Sequence, residues 1–364
     1  MVQNEKPEEY KVGLSTDEVK SLAKGKTITK LSSNENPFGP SPKAVKAAHE
    51  ALENAHIYPP RNDVKLCESL AAFHGRGLQA DQFFAANSGV EVLSMIEDAL
   101  ISPGERAIIC PPSFGAYASS LGKKSVVIDR VALTTPDFLP DVQSILAAVT
   151  SETRLVYLCN PNNPTGTWFG EEVLDQILDN LPDHVSLIYD EVYFQFATEN
   201  GLPDAIRHVL DGRNIVIVHS FSKAYGLAGL RVGYGIAPVH LIQKFQKGKR
   251  SFHISAPAMA GAQAALDDVE HLNATVDNNH AERPRIRNGL LNLGLEALPS
   301  QSNFVMFSCP KGMDAKTMTA ALVAEGVMVR PAFDLPDHIR VTIGTPTDND
   351  RLLAAVAKVL KEIS

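Results

Sequence analysis

Short apolar runs recur along the chain, and between them lie stretches with the three-to-four-residue spacing of amphipathic helices. Phe83–Ala86, Arg106–Cys110, Leu155–Cys159, Val185–Tyr189 and Ile215–Val218 are apolar at successive positions. That is the pattern of strands covered on both faces inside a sheet. Helical spacing is read over Pro42–Ala55, Glu91–Leu100, a segment starting at Glu171, Pro238–Arg250 and Ala256–Leu266. Thr16-Asp-Glu-Val-Lys, with its acidic first turn, reads as a further helix start. Asp268–Leu295 reads as one long helix, with Arg283, Arg285 and Arg287 on a solvated face and Pro284 predicting a kink or break. Leu31–Pro42 holds three prolines and a glycine, so an extended, stiff segment is expected there. The last hundred residues change style. Ser302–Phe307, Val327–Arg330 and Ile339–Ile343 alternate as half-buried strands separated by helices. Together these patterns predict an α/β fold followed by a smaller α+β lobe, and 364 residues are enough for both.

Composition narrows the class. Hydrophobic content of 44% is that of a globular protein with a proper core, and a net charge of −8 with interspersed signs excludes a polybasic nucleic-acid footprint. No apolar run approaches the length of a membrane span, and Met1–Ile28 is too polar for a signal peptide. Cys67, Cys110, Cys159 and Cys309 are widely scattered without metal-ligand spacing, so reduced cysteines, no metal and a cytoplasmic location are expected.

Candidate chemistry gathers at strand ends. Ile215–Val218 runs into His-Ser-Phe-Ser-Lys-Ala-Tyr-Gly-Leu-Ala-Gly-Leu-Arg, which sets Ser220, Ser222, Lys223 and Arg231 just beyond a buried strand. Ligands of α/β sheets bind there, and two hydroxyls with one guanidinium suit a phosphate. An amine beside a phosphate socket is what a pyridoxal phosphate enzyme needs, the lysine to bond the cofactor and the socket to anchor it. Phe83–Ala86 leads into Asn87-Ser-Gly-Val-Glu, where Ser88, Gly89 and Val90 open a helix whose free N–H groups make a second phosphate seat. Phe114 lies past the end of Arg106–Cys110, where an aromatic can stack on a planar ring or simply fill the core; Tyr117 reads as helix packing. Asp190 ends an apolar strand, where an unmatched carboxylate is costly. A protonated pyridine nitrogen would explain it, a helix cap equally so, and Tyr193 can reach the same ring. Four strand ends, at residues 86, 159, 189 and 219, thus lead into polar or phosphate-binding chemistry.

The segment Ser-Phe-Ser-Lys-Ala-Tyr-Gly-Leu-Ala-Gly-Leu-Arg-Val-Gly, together with Asn160-Pro-Asn-Asn-Pro-Thr-Gly and Asp190-Glu-Val-Tyr, resembles the class I/II (fold type I) aminotransferases, and the likeness extends from Tyr10 to Arg351. The resemblance implies a large domain with a mostly parallel seven-stranded sheet over 40–262. Residues 1–39 would form an arm and part of the small domain, and 263–364 the rest of that domain. It implies pyridoxal 5′-phosphate bonded to Lys223, Asn163 and Tyr193 on its phenolic oxygen, and Phe114 against its ring. It also implies a homodimer in which Tyr58 reaches the partner's cofactor phosphate. Val90 departs from the family, which usually has Asp there. Ser-Asn-Glu-Asn-Pro-Phe-Gly-Pro looks like the pocket-opening segment of the histidinol-phosphate branch, with Tyr10, Asn36, Arg330 and Arg340 as substrate contacts. That implies transamination of L-histidinol phosphate with 2-oxoglutarate. An aromatic amino-acid aminotransferase, a fold type I decarboxylase of a phosphorylated amino acid and a non-catalytic regulatory domain are the alternatives.

Overall fold

The computed structural model describes residues 26–199 and 201–363. The helix expected from Thr16 and the candidate Tyr10 lie outside them. Among the described residues, twelve strands follow in chain order: β1 (Thr29–Lys30), β2 (Phe83–Ala86), β3 (Arg106–Ile109), β4 (Val127–Arg130), β5 (Thr153–Cys159), β6 (Ser186–Asp190), β7 (Ile215–Ser220), β8 (Gly233–Ile236), β9 (Phe304–Ser308), β10 (Val327–Met328), β11 (Arg330–Pro331) and β12 (His338–Thr342). Seven of them form one sheet in the order β2-β8-β7-β6-β5-β3-β4. The pairs from β7 to β4 are parallel, and β8 alone runs against both its neighbours.

The continuous apolar runs are explained by which face each residue serves. Ile108, Val156, Leu158, Leu187, Tyr189, Ile215 and Ile217 enter one core. Ala107, Ile109, Leu155, Tyr157, Ile188, Val216 and Val218 enter another on the opposite face. Both faces are covered by helices, so polar alternation has no place. Each fully buried Val, Ile or Leu contributes about 1.5–3 kcal/mol to holding the sheet.

Register then sets the working edge. Cys159 pairs with Asp190, Asp190 with Val218, Ser220 with Gly233, and Gly233 with Ala86. The carboxyl ends of β5, β6, β7 and β2 therefore share one edge, as the four strand ends predicted. Gly233 is required there, since a Cβ would sit 2.4 Å from the Gly89 nitrogen.

A third core is built from Leu31, Ile286, Leu290, Val305, Phe307, Met318, Leu322, Val341, Leu352 and Val356. It lies against the antiparallel order β11-β12-β9 and the short parallel pair β1-β10. The expected half-burial fails at β9, where Phe304, Val305, Met306 and Phe307 are all buried. Phe304 packs with Tyr193, Phe196 and Ala224, and Met306 joins the first core. The face expected to meet water instead lies against the large-sheet region.

The long helix spans Val269–Asn292 and does not break at Pro284. Pro284 and His280, whose carbonyl the proline ring cannot bond, are both exposed, so water is available in its place. The solvated arginine face is corrected in part. Arg283 is buried and donates from Nη1 to the Phe196 and Ser302 carbonyls at 2.9 and 3.3 Å. Arg285 pairs with Glu282 and Asp350, and Arg287 donates to the Ala297 carbonyl. Cys67, Cys110, Cys159 and Cys309 are all free thiols.

Candidate active site

Lys223 lies three residues beyond β7, in a turn that Gly226 allows to press on the extended segment at Gly39. Gly226 has φ +69°, and a Cβ on it would fall 2.1 Å from the Gly39 carbonyl oxygen. The half-buried Lys223 donates from Nζ to the Ser33 carbonyl at 3.1 Å. Withdrawal from water, then the charge of Arg340, push its amine down to about 7, with Arg231 and Arg330 adding to the effect against Glu35.

Beside it, the Ser222 backbone N–H donates to Ser220 Oγ at 3.1 Å. The helix Gly89–Leu100 starts against this strand end: a Cβ on Gly89 would stand 3.7 Å from that of Ser220. Ser88 caps it with φ 123°, a backbone region that side chains rarely adopt. Arg231 also has positive φ, at 57°, and donates to the Ala228 carbonyl. Two strained residues thus flank a helix N-terminus and two hydroxyls, a donor set for an anion. Val90 is 44% exposed, so the backbone donors do not depend on its side chain.

Asp190 is the last residue of β6 and is buried. Tyr117 donates its hydroxyl to Asp190 Oδ2 at 2.6 Å, and the Val192 N–H donates to Oδ1 at 3.2 Å. Burial raises this carboxyl to about 6, while Tyr117 and the Val192 N–H act the other way. The helix-cap reading finds no helix to cap: only a single 3-10 turn, Phe194–Phe196, follows, and Tyr193 precedes it. The neighbouring Glu191 engages His219 Nε2 at 2.7 Å and is pushed up to about 8 by burial. Tyr117 does more than pack its helix, since its hydroxyl reaches Asp190. The rings of Phe114 and Tyr117 meet edge-on, with centroids 5.6 Å apart.

Across the edge, β11, β12 and the extended segment before Pro42 bring the remaining groups. Arg340 is buried, donating to Asn163 Oδ1 at 2.6 Å and to the Ser32 carbonyl at 2.9 Å. Asn34 Nδ2 donates to the Tyr193 hydroxyl at 3.0 Å, and the Asn34 N–H donates to Thr342. Arg330 stands directly opposite Arg340 in the β11–β12 pair. The Phe333 ring lies 4.9 Å from the Arg330 guanidinium carbon, 5.9 Å from that of Arg340 and 6.4 Å from the Phe114 ring. Asn34 and Phe333 were not singled out in the sequence.

Two candidates sit apart from this cluster. Asn36 spends its amide on the Ala224 carbonyl and Thr275, tying the extended segment to the residue after Lys223. Tyr58 is 81% exposed and its ring lies 5.0 Å from that of Phe252. Elsewhere, Glu171, Asp175 and His208 come close enough to hold a cation, but the Arg207 guanidinium already pairs with both acids.

Comparison with known proteins agrees with this geometry. The family model described as aminotransferase class I and II matches residues 26–356. A histidinol-phosphate aminotransferase 2 of Pseudomonas fluorescens is 37% identical over 336 residues, 92% of this chain and 89% of that protein. A histidinol-phosphate aminotransferase of Akkermansia muciniphila is 37% identical over 338 residues, 92% and 90% of the two chains. Among solved structures, the histidinol-phosphate aminotransferase of Sinorhizobium meliloti in complex with pyridoxal-5′-phosphate superposes with a TM-score of 0.88 at 27% identity, covering 96% of this chain and 95% of that one.

Proposed function

The chain belongs to the class I and II aminotransferases, and from that premise we propose that it transfers the amino group of L-histidinol phosphate to 2-oxoglutarate, giving imidazole acetol phosphate and L-glutamate, with pyridoxal 5′-phosphate as cofactor. The observation that carries the substrate is the register of β11 on β12. It sets Arg330 opposite Arg340, two like charges on facing positions of an antiparallel pair. Such a pair is destabilising by itself and favours an anion between the two groups. A phosphate with two charges suits two planar guanidinium forks better than one ammonium would. The names of the relatives support the same donor.

The residues present fit the cofactor. The strained Ser88 turn, the first N–H groups of Gly89–Leu100, Ser220, Ser222 and Arg231 offer donors for its phosphate. The amine of Lys223 would bond it, Asp190 would hold the proton on its ring nitrogen, and Asn163 and Tyr193 would hold its phenolic oxygen. Phe114 would lie against the ring. When bound, the cofactor supplies an electron sink for the pair left behind by the substrate's α-proton.

The rest is the work of the chain. An amine pushed down to about 7 is partly neutral at neutral pH, so Lys223 Nζ can take the α-proton as a base and return it as an acid. Asp190 must be ionised to keep its partner protonated, and the Tyr117 hydroxyl favours that state. Arg340 holds a carboxylate of 2-oxoglutarate in one half-reaction and, with Arg330, the donor's phosphate in the other.

Residues 40–262 form the cofactor-binding domain in this reading. Residues 1–39 serve as an arm and part of the small domain, which 263–364 complete. The working unit is a homodimer in the cytoplasm, with Tyr58 completing the neighbouring site. Its exposure beside Phe252, itself 45% exposed, is what supports a covered surface. Mixing Lys223→Ala with Tyr58→Phe subunits should restore part of the activity, and a monomer on sedimentation would rule the dimer out. For the substrate, Arg330→Ala should lower kcat/KM on histidinol phosphate by roughly ten- to a hundredfold and on phenylalanine much less. Equal losses would make Arg330 structural, and a wild-type enzyme preferring phenylalanine would favour an aromatic donor.

A further inference from the structure

Resting on the reading of Arg330 and Arg340 as the donor's anion site, we propose that Phe333 is a positioning residue for specificity: its ring orients both guanidinium groups toward one anion and so sets the preference for phosphorylated donors. Like charges on facing strand positions push their side chains apart, and nothing in an antiparallel pair by itself brings them back. The Phe333 ring lies close to both. It sits in the connection between β11 and β12, next to Asp334 in the left-handed region at φ 57°, and the hairpin is closed by the Ala332 N–H on the His338 carbonyl at 2.8 Å. From there its ring lies 4.9 Å from the Arg330 guanidinium carbon and 5.9 Å from that of Arg340. The electron-rich face of an aromatic ring attracts a cation, and a guanidinium laid against it keeps its N–H edge for a planar acceptor. The two arginines depend on this ring unequally. Arg340 is also held by Phe304 at 5.3 Å, by Asn163 and by the Ser32 carbonyl. The ring also lies nearer to Arg330 than to Arg340, at 4.9 against 5.9 Å. Loss of the ring therefore falls mainly on Arg330, the arginine assigned to the phosphate rather than to the carboxylate. Contact with Phe114 at 6.4 Å keeps Phe333 beside the reacting centre. Being half-buried on a connection, it can be replaced without opening a core.

The test uses the purified holoenzyme, carrying Phe333→Leu, Phe333→Met or Phe333→Tyr, alone and with Arg330→Ala. Phe333→Leu and Phe333→Met keep apolar bulk without the ring. They should lower kcat/KM on L-histidinol phosphate by about tenfold, mostly through KM, and on L-phenylalanine by less than about threefold. Phe333→Tyr, which keeps the ring, should recover most of the loss. In the Arg330→Ala background, Phe333→Leu should add little, because both changes remove one function. The proposal is overturned if the leucine and tyrosine variants behave alike, if both donors lose equally, or if the losses multiply in the double variant. If instead Arg330→Ala leaves donor preference unchanged while Phe333→Leu shifts it, the anion site is misassigned and the failure belongs to that reading.

Discussion

Lys223 and Lys249 are both drawn out of bulk water, and the protein treats them in opposite ways. The side chain of Lys249 is 6% exposed, with its amine 2.5 Å from Asp63 Oδ2. It also donates to the Ala85 carbonyl at 2.7 Å, and the same Asp63 oxygen accepts the Ala85 N–H. Its charge is matched and hydrogen-bonded, so it serves as a strut under β2. Lys223 has a carbonyl for a hydrogen-bond partner, and among the described residues no carboxylate lies within ion-pair reach of it. The charges that act on it are that of Arg340, opposed by Glu35, and then those of Arg231 and Arg330. Burial alone does not make an amine reactive; burial among cations, with no anion in contact, does.

The largest expected effects break this comparison outright. Lys223→Ala should lose transamination by roughly a thousandfold or more while the protein stays folded. Lys249→Met should do the reverse. It strands Asp63 as a buried charge, at a cost of about 3–5 kcal/mol, while the folded fraction turns over at a rate close to normal. A Lys249→Met protein of full stability and no activity would show that the two lysines had been told apart wrongly.

Asp190 sharpens the contrast from the acidic side. Asp190→Ala should slow proton abstraction by roughly a hundredfold or more while cofactor binding weakens less. Tyr117→Phe should cost about tenfold through loss of one hydrogen bond to a charged group. Its pH dependence has a definite sign. Burial raises the Asp190 carboxyl to about 6 and the Tyr117 hydroxyl opposes that rise. Without the hydroxyl the carboxyl takes up its proton at higher pH, so the acid limb of kcat/KM should move upward.

The smallest effect is on stability. The Lys223 amine is held near 7 in the fold, against 10.5 for the free side chain. Between these values the unfolded chain binds more protons, so stability rises with pH. The penalty is full below about 7 and fades toward 10.5. Lys223→Met should therefore raise the urea midpoint of the cofactor-free protein at pH 6, and the gain should shrink as pH rises through that window. A gain independent of pH would mean that packing, not charge, is responsible.

What was legible in the chain follows the same division. Strands buried on both faces announce themselves as unbroken apolar runs, and the polar residue that ends each run marks the working edge. Ser220, Ser222, Lys223 and Asp190 were therefore readable from local sequence. Contacts between distant segments were not. Tyr117 meets Asp190 across 73 residues, and Arg340 meets Asn163 across 177. No local pattern separates Tyr117 from an ordinary helix-packing tyrosine, or Arg283 in its buried site from an arginine on a wet helix face. The burial of β9 was missed for a related reason: its outer face is covered by the large-sheet region, and a single strand cannot reveal what lies above it.

The distinction between the two lysines can be read in one experiment. The purified protein is mixed with pyridoxal phosphate, reduced with borohydride to fix the cofactor to the amine that carries it, and its tryptic peptides are weighed. The account predicts one stoichiometric pyridoxyl adduct, on the peptide containing Lys223, with the Lys249 peptide unmodified. An adduct on Lys249 or elsewhere with Lys223 unmodified, or no adduct at all, would contradict it.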